Sequence, residues 1–176
     1  LINNLKLIIK AIDKYEKIEF KKLRNKSLLL LGFSGGFRRS ELVNIEYEDL
    51  DFVSEGLKIF IKRSKTDQSG EGSIKAIPYF NNVEYCPVTK LKYWINYKNI
   101  TFGKIFDISD KSVSLILKRY ALLAGLDPNK YGGHSLRSGF ATSAAEAGAE
   151  ERNIMSMTGH KTTQMVRRYI KEANLF

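Results

Sequence analysis

The chain has 176 residues, of which 43% are hydrophobic and 27% charged, a balance that predicts one globular domain with a packed core and excludes a disordered chain. Its 29 lysines and arginines outnumber 19 aspartates and glutamates, and the net charge of +10 is typical of proteins that bind nucleic acid, an anionic membrane surface or an RNA-rich assembly, with a soluble protein that has a lysine-rich surface as the equal alternative. The single cysteine excludes an internal disulfide and favours a reducing cytoplasm. Apolar runs such as Leu28–Leu31 are far short of the roughly 20 residues of a membrane helix.

The first part of the chain has the spacing of two helices. Apolar residues from Leu5 to Ile12 recur at helical intervals, and Leu23–Phe33 predicts a second, buried helix. The Ser34-Gly35-Gly36 sequence is expected to end that helix, because consecutive glycines disfavour its continuation. A short helix is predicted to resume through Ser40–Leu42.

A hairpin is predicted next. Leu57–Ile61 has the composition of a strand, the polar, glycine-containing stretch Lys65–Ser73 predicts a loop, and Ile74–Pro78 predicts the returning strand. The two lysines on either side of this loop, Lys62 and Lys75, are expected to be solvated.

The helical pattern returns after Pro87 and continues to the end of the chain. The predicted helices are Val88–Tyr97, Lys111–Ala124, Ser135–Ala147, Glu151–Met157 and Thr163–Ile170. Gly125 is expected to cap the second of these, and Cys86 and Trp94 are expected to be buried. The predicted fold class is therefore mainly α with a small antiparallel β-sheet, in a single domain.

Two pairs of polar residues lie three positions apart beside glycines. Arg38 and Glu41 follow Gly35-Gly36 and are close enough on a helical turn to interact. His134 and Arg137 stand at a predicted helix N-terminus, where unpaired N–H groups and the helix dipole favour an anion. Each pair also has an ordinary explanation: a surface ion pair for the first, and a Ser135 cap beside a packed histidine for the second.

A third pair, His160 and Tyr169, lies nine residues apart near the end of the chain. The ordinary alternative is that Tyr169 is a core aromatic on one apolar stripe with Met165. Tyr131, three residues before His134, is the rival candidate nucleophile near these clusters.

Taken in order, these clusters resemble the catalytic signature of the tyrosine recombinase (phage integrase) family. Arg38 matches the first arginine in the family's Gly-hydrophobic-Arg-x-Ser-Glu-Leu stretch, His134-x-x-Arg137 matches the second box, and Gly159-His160 with Tyr169 matches the third. Lys65 falls where the family has its hairpin lysine. The resemblance covers Leu23 to Ile170 and implies the DNA breaking-rejoining catalytic fold.

The chemistry that the resemblance implies suits these residue types. A tyrosine oxygen, here that of Tyr169, can store the energy of a phosphodiester bond as a covalent intermediate. Arg38 and Arg137 suit the non-bridging oxygens, because a guanidinium binds two oxygens at once and stays protonated. The two histidines can donate to phosphate or accept the tyrosine proton. Lys65 on its hairpin can protonate the departing 5′-oxygen.

Further residues are assigned supporting roles. Glu41 is expected to orient Arg38 or a histidine. Arg39, Arg63 and Arg168 are candidates for contacts with DNA phosphates, and a solvated surface is the alternative for each. The resemblance implies no metal and no other cofactor.

The function implied is that of a site-specific DNA recombinase or integrase, which cleaves and rejoins DNA through a 3′-phosphotyrosyl intermediate. Its partner would be double-stranded DNA, on which it would form a homotetramer, and in isolation it would be a cytoplasmic monomer without membrane contact. The chain is interpreted as one catalytic domain over residues 1–176, the C-terminal part of a longer recombinase whose N-terminal DNA-binding domain is absent. Two alternatives stay open: a DNA-relaxing enzyme of type IB-like chemistry, and a non-catalytic basic DNA-binding protein.

Overall fold

The structure, a computed structural model, describes residues 2–62, 72–132 and 136. Helices predominate in these residues and one small antiparallel sheet accompanies them, so the predicted fold class is confirmed. The α-helices are α1 (Ile2–Tyr15), α2 (Glu19–Gly35), α3 (Arg39–Asn44), α4 (Pro87–Lys98) and α5 (Asp110–Leu123). Single 3₁₀ turns lie at Tyr47–Asp49, Val83–Tyr85 and Pro128–Lys130.

The sheet has three described strands in the order β1 (Leu50–Val53), β2 (Gly56–Ile61) and β3 (Ser73–Pro78), and both pairings are antiparallel. The sequence predicted β2 and β3 but missed β1. This strand is only four residues long and is nowhere fully buried, so it lacks the apolar alternation that marks a strand in sequence. Its pairing with β2 is instead set by a tight turn that places Val53 opposite Gly56.

The centre of the core is α2, where Leu28–Leu31 are all buried. Helix α2 packs mainly against α4, and it also contacts α1 and β3. Trp94 of α4 is buried as predicted, and its indole N–H donates to the Ile105 carbonyl at 2.7 Å. Cys86 is likewise buried, at the residue before α4.

The predicted cap of α5 is confirmed. Gly125 has φ +82°, and its N–H donates to the Leu122 carbonyl at 3.0 Å. The Leu126 N–H donates to the Ala121 carbonyl at 2.9 Å. This left-handed turn favours glycine, which has no Cβ to clash. It ends α5 close to the prediction.

A buried polar pair joins the α1–α2 connection to α5. The Tyr120 hydroxyl donates to the Glu16 carboxylate at 2.5 Å, and both residues are buried. This hydrogen bond lowers the pKa of Glu16. Burial and, next, the same hydrogen bond raise the pKa of Tyr120 to about 12. The pair therefore favours a charged carboxylate beside a neutral phenol at neutral pH.

Candidate active site

Arg38 lies at the joint between α2 and α3, and the backbone of this joint is closely specified. Gly36 has φ +63°, a left-handed conformation that favours glycine. The Gly36 N–H donates to the Phe33 carbonyl at 3.3 Å, and the Phe37 N–H donates to the Gly32 carbonyl at 3.0 Å. These two bonds form a Schellman motif, which ends α2 and turns the chain toward α3.

The residue before Arg38 anchors the joint in the core. Phe37 is 1% exposed, and its ring packs directly over Gly35. A Cβ atom at Gly35 would lie 2.3 Å from the Phe37 Cε2, which is much closer than two non-bonded carbon atoms can approach. The absence of a side chain at Gly35 thus allows the ring to close against α2.

Glu41 holds the backbone of Arg38. Arg38 is extended (φ −70°, ψ 151°) and precedes the first turn of α3, and its N–H donates to the Glu41 Oε1 at 2.8 Å. This is one half of a capping box, in which the third helical residue reaches back to the residue before the helix. The reciprocal half cannot form, because a guanidinium has no hydrogen-bond acceptor.

Glu41 was predicted to orient Arg38 or a histidine, and its observed contact is to the Arg38 main chain. Within residues 2–62, 72–132 and 136, no ion pair joins the Arg38 guanidinium to Glu41 or to another carboxylate. Arg38 is half-buried. Its backbone is therefore fixed while its charge is not neutralised by a described carboxylate.

Lys75 supports the joint from the sheet, which corrects the expectation that it is solvated. It is 4% exposed, and its Nζ donates to the Gly35 carbonyl at 2.7 Å and the Gly36 carbonyl at 3.2 Å. The same Nζ lies 4.4 Å from the centroid of the Phe37 ring, within the range of a cation–π interaction. Sequence reasoning missed this residue, because Ile74 faces outward and Lys75 inward, the reverse of the usual alternation.

Register was the signal that could have found Lys75. Lys75 lies opposite Ile59 and two residues before Ile77, and both isoleucines are buried. Residues two positions apart in a strand point to the same face of the sheet. Lys75 therefore lies on the core side together with Ile77. Lys62, by contrast, is exposed as expected and forms ion pairs with Glu46 and Asp49.

Leu136 connects the second sequence cluster to the same joint. It is 6% exposed, and a Cβ atom at Gly32 would lie 2.6 Å from its Cδ1 and 3.1 Å from the Leu42 Cδ2. Gly32 and Leu42 belong to α2 and α3, the helices on either side of Arg38. Leu136 lies in sequence between His134 and Arg137, so that cluster has a fixed residue against the Arg38 joint.

The remaining predicted site residues divide into two groups. Arg39 is half-buried at the first position of α3. The others lie outside the described residues: Arg63, Lys65, His134, Arg137, His160, Arg168 and Tyr169.

Tyr131, the rival nucleophile, is described and packs against the core as a half-buried side chain. Burial raises the pKa of its hydroxyl, and a hydrogen bond with the Asn4 side chain opposes this effect. A raised pKa makes the phenolate harder to form at neutral pH. This environment favours a structural role for Tyr131.

The described residues contain neither a cluster of metal ligands nor a membrane-spanning helix. In residues 2–62, 72–132 and 136, no three histidine, cysteine, aspartate or glutamate side chains come together as a metal site would require. In the same part of the chain, no helix has the length and apolar character needed to cross a membrane.

Comparison with known proteins identifies the family. The model of the phage integrase family matches residues 2–175, almost the whole chain. This chain belongs to the phage integrase family. An integrase/recombinase xerD homolog from Selenomonas ruminantium is 47% identical, over 93% of this chain and 52% of that protein. The tyrosine recombinase XerC of Syntrophus aciditrophicus is 30% identical, over 84% of this chain and 48% of that protein. The chain thus spans about half the length of these relatives.

Solved structures confirm the predicted catalytic fold. The XerH site-specific recombinase bound to palindromic difH substrate, in a post-cleavage complex, aligns with a TM-score of 0.78 at 20% identity. That match covers 98% of this chain and 49% of XerH. The catalytic domain of bacteriophage HP1 integrase aligns with a TM-score of 0.65 at 17% identity, over 97% of this chain and 85% of that domain. At these identities the likeness establishes the fold.

Proposed function

We propose that this chain is the catalytic part of a site-specific tyrosine recombinase, which cleaves and rejoins double-stranded DNA through a 3′-phosphotyrosyl intermediate. One observation carries the proposal: Leu136 of the second family box packs against the joint that holds Arg38 of the first box. Arg137 follows Leu136 directly in the sequence, so we infer that the two arginines of the family signature act at one site.

The proposed reaction uses these arginines on the scissile phosphate. The Tyr169 oxygen attacks phosphorus, the bond to the 5′-oxygen breaks, and Lys65 gives that oxygen a proton. Arg38 and Arg137 bind the non-bridging oxygens, where negative charge accumulates in the transition state. His134 and His160 donate to the phosphate or take the tyrosine proton.

The supporting residues follow from the geometry around Arg38. Glu41 holds the Arg38 backbone at 2.8 Å, which leaves the guanidinium available to a phosphate. Arg39 follows Arg38 in the chain and is proposed to contact a neighbouring DNA phosphate, with Arg63 and Arg168 in the same role. The net charge of +10 supports binding to a polyanion.

Double-stranded DNA is the proposed partner, and a homotetramer on DNA is the proposed assembly. The XerH relative was solved in complex with its difH substrate, which supports a DNA substrate for this family member too. Sedimentation of the intact protein with and without its site tests the assembly. A monomer that becomes a tetramer on DNA is expected, and a stable tetramer without DNA would contradict the proposal.

The catalytic proposal is tested by trapping the covalent intermediate. With a nicked suicide duplex that carries its target site, the intact protein should form an SDS-resistant DNA adduct, and Tyr169→Phe should form none. Tyr131→Phe is the matched control, because it removes a hydroxyl from the rival tyrosine and should leave the adduct intact. An adduct that persists in Tyr169→Phe and disappears in Tyr131→Phe would overturn the assignment.

A paired assay then separates the alternative functions. A recombinase exchanges strands between two sites, whereas a DNA-relaxing enzyme removes supercoils without exchange. Recombination of a two-site plasmid is the expected result. Relaxation without recombined product would favour the relaxing enzyme, and DNA binding without any adduct would favour the non-catalytic protein.

A further inference from the structure

We propose that Lys75 is a positioning residue for the reaction: it holds the α2–α3 joint so that the Arg38 guanidinium meets the scissile phosphate. This inference rests on the proposed function. The carbonyl groups at the end of α2 need hydrogen-bond partners, because this end of the helix is partly buried.

The Schellman motif at Gly36 leaves later carbonyls of the joint to find other partners. Its hydrogen bonds use the carbonyls of Gly32 and Phe33, not those of Gly35 and Gly36. The Lys75 Nζ donates to the latter pair at 2.7 and 3.2 Å. A cation also suits this place, because the C-terminal end of a helix carries partial negative charge. Lys75 thus supplies the donor for two carbonyls of the joint.

Lys75 also contacts the residue next to Arg38. Its Nζ lies 4.4 Å from the centroid of the Phe37 ring, and Phe37 is the residue before Arg38. The Arg38 N–H donates to the Glu41 carboxylate at 2.8 Å. The backbone around Arg38 is therefore held by a cation from β3 and a carboxylate from α3.

The main chain of Lys75 lies in the sheet, whereas its side chain contacts the α2–α3 joint. Lys75 belongs to β3 and lies opposite Ile59 of β2, so its main chain is part of the sheet and not of the joint. The strand β3 begins at Ser73, two residues before Lys75, and Lys65 lies in the connection between β2 and β3. The main chain of Lys75 therefore holds its ammonium group against the joint from a separate element of the fold.

A double-mutant cycle tests whether Lys75 acts through Arg38. In the intact protein, adduct formation at saturating suicide substrate is measured for Lys75→Met, for Arg38→Ala and for the double variant. Displacing a catalytic group by about 1 Å can cost roughly 10²-fold in rate, so we expect Lys75→Met to lose about 10- to 100-fold with little change in DNA affinity. In the Arg38→Ala background the same change should cost less than about threefold, since nothing is left to position.

Matched variants separate positioning from folding. Lys75→Arg keeps a charged donor and should restore most of the rate, whereas Lys58→Met alters an exposed lysine of the same sheet and should leave it unchanged. Thermal unfolding of each variant shows that it is folded at the assay temperature. If Lys75→Met does not fold, Lys75→Gln, which keeps an N–H donor, takes its place in the cycle.

The outcomes distinguish this inference from the proposed function. If the unmodified protein forms no adduct, the proposed function fails. If the protein forms the adduct and Arg38→Ala forms it at a slower but measurable rate, equal losses from Lys75→Met in both backgrounds would overturn the positioning role, as would an unchanged rate. A loss that appears only as weaker DNA binding would overturn it as well.

Discussion

Replacing Gly32 with alanine tests whether Leu136 docks on α2 beside Arg38. Alanine in a helix interior is usually more stable than glycine by about 0.5–1 kcal/mol. Here the new Cβ would lie 2.6 Å from the Leu136 Cδ1, so the leucine has to move. Overpacking of this kind costs about 1–3 kcal/mol. We therefore expect Gly32→Ala to lower the free energy of unfolding by about 1 kcal/mol, against the helix propensity.

The sign should reverse when Leu136 is shortened. Leu136→Ala alone should cost about 2–5 kcal/mol, the usual range for a buried leucine. In that background the close contact is gone, and only the Leu42 Cδ2 at 3.1 Å has to give slightly. Gly32→Ala should then be neutral or stabilising by about 0.5 kcal/mol. The coupling between the two sites should therefore be about 1–1.5 kcal/mol.

Urea unfolding of the four proteins in this cycle measures the coupling. If the two changes in the free energy of unfolding add within about 0.5 kcal/mol, Gly32 and Leu136 do not touch. The second family box would then have no contact with the joint that holds Arg38. Because Arg137 follows Leu136 in the sequence, we expect a displaced Leu136 to disturb Arg137 as well. The Gly32→Ala variant should therefore form the DNA adduct more slowly than the unmodified protein.

Two further predictions concern the buried pair and the hairpin lysine. Tyr120→Phe should lower the free energy of unfolding by about 1.5–3 kcal/mol at pH 7, because the buried Glu16 carboxylate loses the Tyr120 donor and keeps only the longer hydrogen bond from the Ile18 N–H at 3.2 Å. The lowered pKa of Glu16 gives stability that is present above its ordinary value of 4.5 and is lost as the pH falls through the folded value. Acid unfolding of the variant should therefore begin at a higher pH, and an unchanged acid midpoint would refute the role of the pair. Lys65→Ala should slow cleavage by roughly 10²–10⁴, the range for a lost general acid, and a 5′-bridging sulfur should restore most of the rate because it leaves without a proton. The sulfur should not rescue Arg38→Ala, and equal rescue of both variants would remove Lys65 from this role.

The sequence predicted the parts of the fold that local chemistry determines. The end of α2 followed from two glycines, of which Gly35 is the last helical residue and Gly36 adopts φ +63°, and the end of α5 followed from Gly125 at φ +82°. The leucine run in α2 and the burial of Trp94 followed from apolar composition. These features depend on a few neighbouring residues, so a single sequence reveals them.

The features that were missed depend on residues distant in the chain. β1 is a strand because β2 pairs with it, and its own four residues carry little signal. Lys75 is buried because the joint 40 residues earlier presents two carbonyls to it, an arrangement that no local pattern contains. The Arg38–Glu41 spacing was recognised, but the contact is to the main chain because Glu41 occupies the third position of a helix that starts after Arg38.

The central claim, that Tyr169 is the nucleophile at the phosphate bound by Arg38, is tested most directly by mass spectrometry of the trapped adduct. After exhaustive nuclease digestion and proteolysis, the account predicts a nucleotide linked through its 3′-phosphate to the peptide that contains Tyr169, and no such peptide from Tyr169→Phe. Attachment at Tyr131 or another residue, or attachment through a 5′-phosphate, would contradict it.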